Sequence, residues 1–383
     1  MRAVSNNNEV SMKIALIEPF MAGSHARWAR EYADRSRHQV EIFALEGRHW
    51  KWRMHGGAVT LAREFLGADF RPDVLLATDM LDLTIFLALT RRQTSGIPAA
   101  IYFHENQLTY PWSPTDADIH NQRDAHYAFI NYTSALTADK VLFNSNYHRL
   151  SFLAQLPKFL KSFPDAHEVA SVKHIEKKSQ TLSLGLDLKQ FDAYRPTISC
   201  AGHHRPPLIL WNHRWEYDKN PEDFFQALYR LEENGIAYEL AVLGESYSTS
   251  PAIYAEARQR LRHRIIHWGF VEEFSDYAGW LWRADILPVT SIHDFFGVSV
   301  VQALYCGCRP LLPQRLAYPE HINHDDHQQC FYNDFDDLVM RLSKLCQNVD
   351  EESIDALRAH VARYDWDEMV SLYDDVLEGL TVT

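Results

Sequence analysis

The chain of 383 residues lacks any apolar run approaching the roughly 20 residues that cross a bilayer. The nearest, Leu75 to Thr90, is interrupted by Asp79 and Asp82, so no membrane association is expected. The first ten residues, MRAVSNNNEV, lack the basic-then-apolar pattern of a secretory leader, and 1–10 reads as a disordered lead-in. Cysteine is sparse and odd in number. Cys200, Cys306, Cys308, Cys330 and Cys346 show no metal-ligand spacing, which excludes a disulfide scaffold and points to a reducing, cytoplasmic setting. Cys306 and Cys308 flank a glycine and read as small packing residues. Basic charge is also short, with 38 Lys and Arg against 51 Asp and Glu. The resulting net charge of −13 argues against wholesale nucleic-acid binding and leaves room only for a local basic patch. No complete GxGxxG fingerprint occurs, so a dinucleotide is not favoured.

What the chain does contain is two rounds of alternating apolar strands and helices. Strands are expected at Lys13–Pro19, Val40–Ala44, Val74–Ala77, Ala99–Phe103 and Val141–Asn144, with helical patterns such as Ala26–Ala33 and Gly57–Leu66 between them. The proline-bearing stretch from Asp192 to Pro207 interrupts the pattern. Alternation restarts at Leu208–Trp211, Glu239–Leu243, Ile265–Trp268, Asp285–Val289 and Pro310–Leu312. Near-continuous apolar strands separated by helices imply an α/β fold of parallel sheets covered on both faces. The expected organisation is a Rossmann-like first domain over 11–195, a linker over 196–206 and a Rossmann-like second domain over 207–365. A final helix over 366–383 is expected to cross back to the first domain, and the cleft between the doubly wound domains is expected to face the strand ends.

The most informative stretch runs from Ser291 to Pro310. Gly297 opens an amphipathic helix through Tyr305, and Gly307 stops it before a buried strand. A helix that starts in a glycine-bearing loop presents unpaired amides and the positive end of its dipole, which suits a diphosphate. Asp294 lies just before this helix and Gln302 within it. Upstream, Arg214 and Lys219 sit on a loop between a buried strand and a helix, where two cations would stabilise a departing diphosphate without a metal. No DxD-like acidic pair occupies a suitable loop. Asp325-Asp326 and Asp374-Asp375 read as solvated acids. Gly23-Ser24-His25 follows the first strand, and Tyr102-Phe103-His104-Glu105-Asn106-Gln107 ends the fourth, at the rim where parallel-sheet proteins bind ligands. There His104 suits orientation of a sugar hydroxyl, and Glu105 an acceptor.

Asp294-Phe295-Phe296-Gly297 with Gln302 resembles the donor-sugar motif of retaining glycosyltransferases of the two-domain GT-B fold, with an amide at the second acidic position. The wider set is more specific: Ile17-Glu18-Pro19-Phe20, Gly23-Ser24-His25, Trp50-Lys51-Trp52-Arg53, Tyr102 to Pro111, Phe143-Asn144-Ser145, Asn212 to Pro221 and Phe295 to Val298. It resembles the tRNA-queuosine α-mannosyltransferase family from about Lys13 to the final helix. The resemblance implies a nucleotide-sugar donor, GDP-mannose, and the cyclopentenediol of queuosine at the wobble position of tRNA-Asp as acceptor. It also implies retention of anomeric configuration. Arg214 and Lys219 would hold the diphosphate, Asp294 and His104 would lie near the hexose, and Gly297 and Val298 would lend amides beside Phe296. Gln302 would bond the ribose, offering one acceptor and one donor group where a carboxylate offers two acceptors. Gly23 would approach the donor, and Ser24, His25, Glu105 and Asn106 the acceptor. No cofactor or metal is expected.

The segment Arg48 to His55 interleaves cations with indoles and contains no acid, so Lys51, Trp52 and Arg53 suit phosphates and unpaired bases of an anticodon stem-loop. The alternative is that its tryptophans pack the first domain. A GT-B enzyme acting on a lipid or polysaccharide would share the donor motif but should carry a basic, apolar docking patch, and none is evident. A non-catalytic nucleotide-sugar binder is the other alternative, and a nucleotide-sugar epimerase a weaker one.

Overall fold

A computed structural model describes residues 11–112, 125–196, 205–246, 250–347 and 354–381. The expected lead-in, Cys200 and most of the expected linker lie outside these. The chain separates into two compact units, Met1–Leu186 with Trp366–Thr383, and Asp187–Asp365. The break falls earlier than the 195/196 boundary because Lys189–Tyr194 forms a 3-10 turn belonging to the second unit. Its Phe191 packs edge-on to Phe274 and accepts a 2.7 Å hydrogen bond from Trp282 Nε1.

The first unit runs β1 (Lys13–Met21), α1 (Gly23–Arg35), β2 (Gln39–Glu46), α2 (Trp50–Gly67), β3 (Val74–Thr78), α3 (Leu83–Thr94) and β4 (Ala99–Phe103). It continues with α4 (Ala125–Thr137), β5 (Lys140–Phe143), α5 (Asn146–Leu160), α6 (Ser171–Lys178) and β6 (Ser179–Thr181). All pairings are parallel, in the order β2-β1-β3-β4-β5-β6. Strands β3 and β4 are buried along their whole length, as their unbroken apolar sequences require.

The second unit runs β7 (Leu208–Trp211), α7 (Pro221–Glu233), β8 (Glu239–Val242), α8 (Ile253–Arg260), β9 (Ile265–Trp268), α9 (Phe274–Arg283) and β10 (Ile286–Pro288). Then come α10 (Val298–Tyr305), β11 (Arg309–Pro313), α11 (Tyr318–His321), β12 (Phe331–Tyr332), α12 (Phe335–Gln347) and α13 (Ile354–Ala362). Its parallel sheet has the order β12-β11-β10-β7-β8-β9. In each sheet the winding reverses beside the first strand, between β1 and β3 and between β7 and β10. Crevices at such reversals, beyond the carboxyl ends of the strands, are where doubly wound proteins bind ligands.

The last helix, α14 (Trp366–Thr381), belongs to the first unit. The Trp366 ring lies where a Cβ on Gly185 would come within 2.4 Å, so only glycine fits there. Tyr373 accepts from the Trp28 indole at 3.1 Å. Asp374 is no solvated acid: it is buried and accepts from the hydroxyls of Tyr32 at 2.9 Å and Ser36 at 2.6 Å and from the Arg37 amide at 3.1 Å. Its neighbour Asp375 is exposed and pairs with Arg37 at 2.7 Å. Cys306 and Cys308 are both buried at the turn from α10 to β11.

Candidate active site

In the second unit, the loops after β7 and β10 bring the expected donor residues together. Trp211 is buried, so the chain emerges from β7 directly into Asn212-His213-Arg214. A 3-10 turn over Tyr217–Lys219 ends at Asn220, whose left-handed backbone and side-chain cap on the Asp223 amide start α7. The turn sends Lys219 inward. Its Nζ lies 3.1 Å from Asp218 Oδ2, 3.4 Å from Asp294 Oδ2 and 3.1 Å from the His293 carbonyl. Arg214 is half exposed and lies 3.1 Å from Glu216. The two cations are therefore unlike: one is a buried organiser of carboxylates, the other a guanidinium open to solvent.

Burial alone would raise the Asp294 pKa, but Lys219, His213 and His293 outweigh it and hold the carboxyl below its ordinary value. Tyr318 donates a further hydrogen bond to Asp294 Oδ2 at 3.3 Å. Burial, reinforced by Lys219, pushes His213 and His293 down to about 4, so both rings are neutral at pH 7. His213 shares a 2.9 Å hydrogen bond with Ser299, and its Nε2 has no partner. Gly297 has φ +88°, and a Cβ there would meet the Tyr318 ring at 3.1 Å. From it α10 starts with the Val298 and Ser299 amides at its open end, where no carbonyl of the same helix reaches them. Gln302 is buried and its side-chain oxygen accepts from Tyr277 at 2.9 Å, which leaves the NH₂ as its remaining polar group. Phe296 is buried against His321 and Tyr364.

The first unit gathers a second cluster at the β1/β3 reversal. Gly23, at φ +53°, opens α1, and Ala22 occupies the cap position, so Ser24 is exposed inside the first turn. His25 turns inward and donates from Nδ1 to Glu18 Oε2 at 3.1 Å. Burial alone would lower the His25 pKa, but Glu18, with help from Asp79 and Glu105, raises it to about 9. His104 stacks 4.2 Å from the His25 ring and edge-on to Trp28 at 4.6 Å. Burial, then the His25 charge, holds His104 neutral. Asp79 accepts from the His104 amide at 2.8 Å. Asn144 donates to the His104 carbonyl at 2.8 Å, so the end of β5 supports the end of β4. Among the described residues, Glu18, His25 and His104 are the group able to hold a metal ion, with ligand atoms within 4.8 Å of one another.

Two placements depart from expectation. Asn106 is buried and binds its own turn, accepting from the Leu108 and Thr109 amides at 3.0 and 2.9 Å and donating to the Thr109 hydroxyl at 3.0 Å, so it shapes the rim. The helix expected from Gly57 starts at Trp50, which divides the Arg48–His55 segment. Trp50 packs on Tyr127 and Trp112, whereas Trp52 is 64 % exposed. Lys51 lies over the Trp50 and Trp112 rings at 5.6 and 5.4 Å, and Arg53 donates to the Glu46 carbonyl at 3.0 Å. Sequence reasoning passed over Asp79, His213 and Tyr277. A charged residue directly after the apolar run of β3 and its closing Thr78 was the available signal for Asp79.

Residues 13–186 match the family described as tRNA-queuosine alpha-mannosyltransferase N-terminal, and residues 206–348 match glycosyl transferases group 1. The chain is similar in fold to sucrose-phosphate synthase from Thermosynechococcus elongatus, with a TM-score of 0.72 at 14% identity, covering 97% of this chain and 99% of that one. It is likewise similar to Anabaena HepE in complex with UDP, with a TM-score of 0.65 at 14% identity over 96% and 100% of the two chains. With two doubly wound parallel sheets and a glycine-opened helix preceded by the Lys219–Asp294 pair, the protein is a glycosyltransferase of the two-domain GT-B fold. It is 32% identical over 341 residues to the tRNA-queuosine alpha-mannosyltransferase of Drosophila melanogaster, covering 87% of each chain. The chain belongs to the tRNA-queuosine alpha-mannosyltransferase family.

Proposed function

We propose that the protein transfers mannose from GDP-mannose to queuosine at the wobble position of tRNA-Asp, with retention of configuration and without a divalent metal. The observation that carries the donor side is the Lys219–Asp294 pair beside the open end of α10. Departure of a nucleoside diphosphate builds negative charge, and on this reading Arg214 and the first amides of α10 donate to it while Lys219 contributes its charge from among Asp218 and Asp294. Asp294, held ionised, is an acceptor for hydroxyls of the hexose, and the Gln302 NH₂, oriented by Tyr277, donates to the ribose. The acceptor belongs to the first unit, where His104 orients its hydroxyl. Exposed Trp52 and neighbouring Lys51 and Arg53 at the start of α2 contact the anticodon stem-loop. Family membership supports this assignment, since the Drosophila relative is named for that reaction. The test is turnover with GDP-mannose, UDP-glucose and UDP-galactose, each supplied with queuosine-containing tRNA and with the same tRNA carrying guanosine. Transfer from GDP-mannose to the queuosine tRNA alone is expected. Equal use of a uridine donor, or transfer to the guanosine tRNA, would refute the assignment.

A further inference from the structure

The acidic surplus of the chain lies entirely outside residues 11–186, where Lys and Arg slightly outnumber Asp and Glu. Within that unit the basic excess is local. The hairpin of α5, α6 and the loop between them carries six cations (Arg149, Lys158, Lys161, Lys173, Lys177 and Lys178) against three acids, Asp165, Glu168 and Glu176. Two of the six bind the protein itself. Arg149 donates to Asn146 at 2.9 Å, and the Lys178 ammonium donates to the Leu136 carbonyl at 2.7 Å and to that of Ala138. The other four are exposed and have no ion-pair partner among the described residues. Lys173 and Lys177 stand four residues apart on one face of α6, a like-charge spacing that costs helix stability. The stretch from Arg258 to Arg264 is different: there Arg260 and Arg264 lie 3.6 and 2.8 Å from Glu233 and Glu232. A group of exposed, unpaired lysines in a chain with acids to spare is a surface suited to an anion.

A second observation concerns where this hairpin lies. α4 joins it to the start of α2, which carries the exposed Trp52. At the first turn of α4, His126 and Tyr127 pack on His55 and Trp50, with ring centroids 5.6 and 5.1 Å apart. Further along, Phe129 packs on Phe163 of the α5–α6 loop at 5.7 Å, and the Tyr132 hydroxyl shares a 2.8 Å hydrogen bond with Ser171 at the start of α6. From His126 to Tyr132 a helix advances about 9 Å. The start of α2 and the lysine-bearing hairpin are therefore neighbouring parts of one unit's surface.

We propose that the α5–α6 hairpin is a second RNA-binding surface, on which Lys158, Lys161, Lys173 and Lys177 contact backbone phosphates of the anticodon stem while the start of α2 meets the loop. The assignment rests on the acceptor being a tRNA, as proposed above. Paired RNA is bound through its phosphates and shape, a contact that flexible ammonium groups suit, whereas unpaired loop bases are bound by stacking, which an exposed indole suits.

Two queuosine-bearing RNAs test it, the anticodon stem-loop and a single-stranded oligonucleotide of the loop alone. Their binding to the full-length protein is followed by fluorescence anisotropy between about 50 and 200 mM salt. The parent is expected to bind the stem-loop at least about tenfold more tightly than the loop at the lower salt. The fourfold variant Lys158→Gln, Lys161→Gln, Lys173→Gln and Lys177→Gln should erase that advantage and lower the stem-loop salt slope by roughly one unit or slightly less per lost phosphate contact. Its melting temperature and its affinity for the loop should stay as in the parent, whereas Trp52→Ala should weaken both RNAs. Lys173→Gln with Lys177→Gln should lower the slope, and Arg258→Gln with Arg262→Gln, which removes the same charge from the second unit, should not. An unchanged slope in the fourfold variant, or an equal drop in the arginine variant, would overturn the surface. So would loss by the fourfold variant of binding to vesicles of phosphatidylcholine and phosphatidylserine with stem-loop affinity retained, since the hairpin would then serve a membrane. Hexose transfer to queuosine tRNA by a parent whose salt slope the lysines do not affect removes this inference alone. Failure of transfer removes the acceptor assignment beneath it.

Discussion

At the scale of single residues, the two cations of the donor site separate in what their loss should do. Arg214 is half exposed, so Arg214→Ala should leave the melting temperature near that of the parent and lower turnover by about 10²–10³, the cost of one transition-state donor. Lys219 is buried between Asp218 and Asp294, and its removal leaves two acids without their cation. Lys219→Ala should therefore also destabilise the fold, by about 3–5 kcal/mol. Chemical denaturation beside kinetics separates the two effects, and an unchanged midpoint for Lys219→Ala would contradict the buried organiser role. Titration gives a further check. The folded His25 pKa, raised to about 9 from 6.5, means the stability it contributes is complete below pH 6.5 and lost as pH rises through 9. His213, lowered to about 4, works the other way, with stability present above pH 6.5 and lost as pH falls through 4. Melting temperature against pH should lose its alkaline slope in His25→Gln and part of its acid slope in His213→Gln. These pairings were illegible in the sequence. Arg214 and Lys219 are five positions apart on one loop, and only the 3-10 turn and the left-handed Asn220 send them to different surroundings.

At the scale of elements, most strands were legible because an apolar run marks their centre, as in β3, β4 and β7, and the start of α10 because a glycine precedes it. The start of α2 was not. Its first turns, Trp50 to Arg53, carry no capping side chain, and His49 enters the helix through a left-handed conformation that no local pattern announces. β6 and β12 are three and two residues long, too short for periodicity to register. Two glycines make the element geometry testable. Gly297→Ala forces a Cβ against Tyr318 at a backbone angle of +88°, which costs about 1–3 kcal/mol and should weaken nucleotide binding measured by calorimetry. Unchanged affinity would mean that the open end of α10 does not hold the diphosphate. Gly185→Ala displaces the Trp366 ring and should lower the melting temperature while nucleotide affinity, a property of the second unit, stays as it was.

At the scale of the whole molecule, two doubly wound units each place a cluster of ionisable residues at the reversal of strand order. On the proposed reading, Arg214 and Lys219 of the second unit serve the diphosphate, and the cluster of Glu18, His25 and His104 in the first unit serves the acceptor. With a net charge of −13, the RNA affinity that the proposed function requires has to come from a confined patch. Lys51→Ala with Arg53→Ala should weaken tRNA binding and lower its salt slope by roughly one unit or slightly less per lost phosphate contact. Trp52→Ala should weaken it with little change in slope, by about 1–3 kcal/mol if the exposed indole stacks a base. The most direct measurement is nucleoside mass analysis of queuosine-containing tRNA-Asp after incubation with the purified protein and GDP-mannose in the presence of chelator. The account predicts that queuosine is replaced by a nucleoside heavier by one hexose, at the same rate with and without chelator. Recovery of unmodified queuosine, or product formed only when magnesium or manganese is restored, would contradict it.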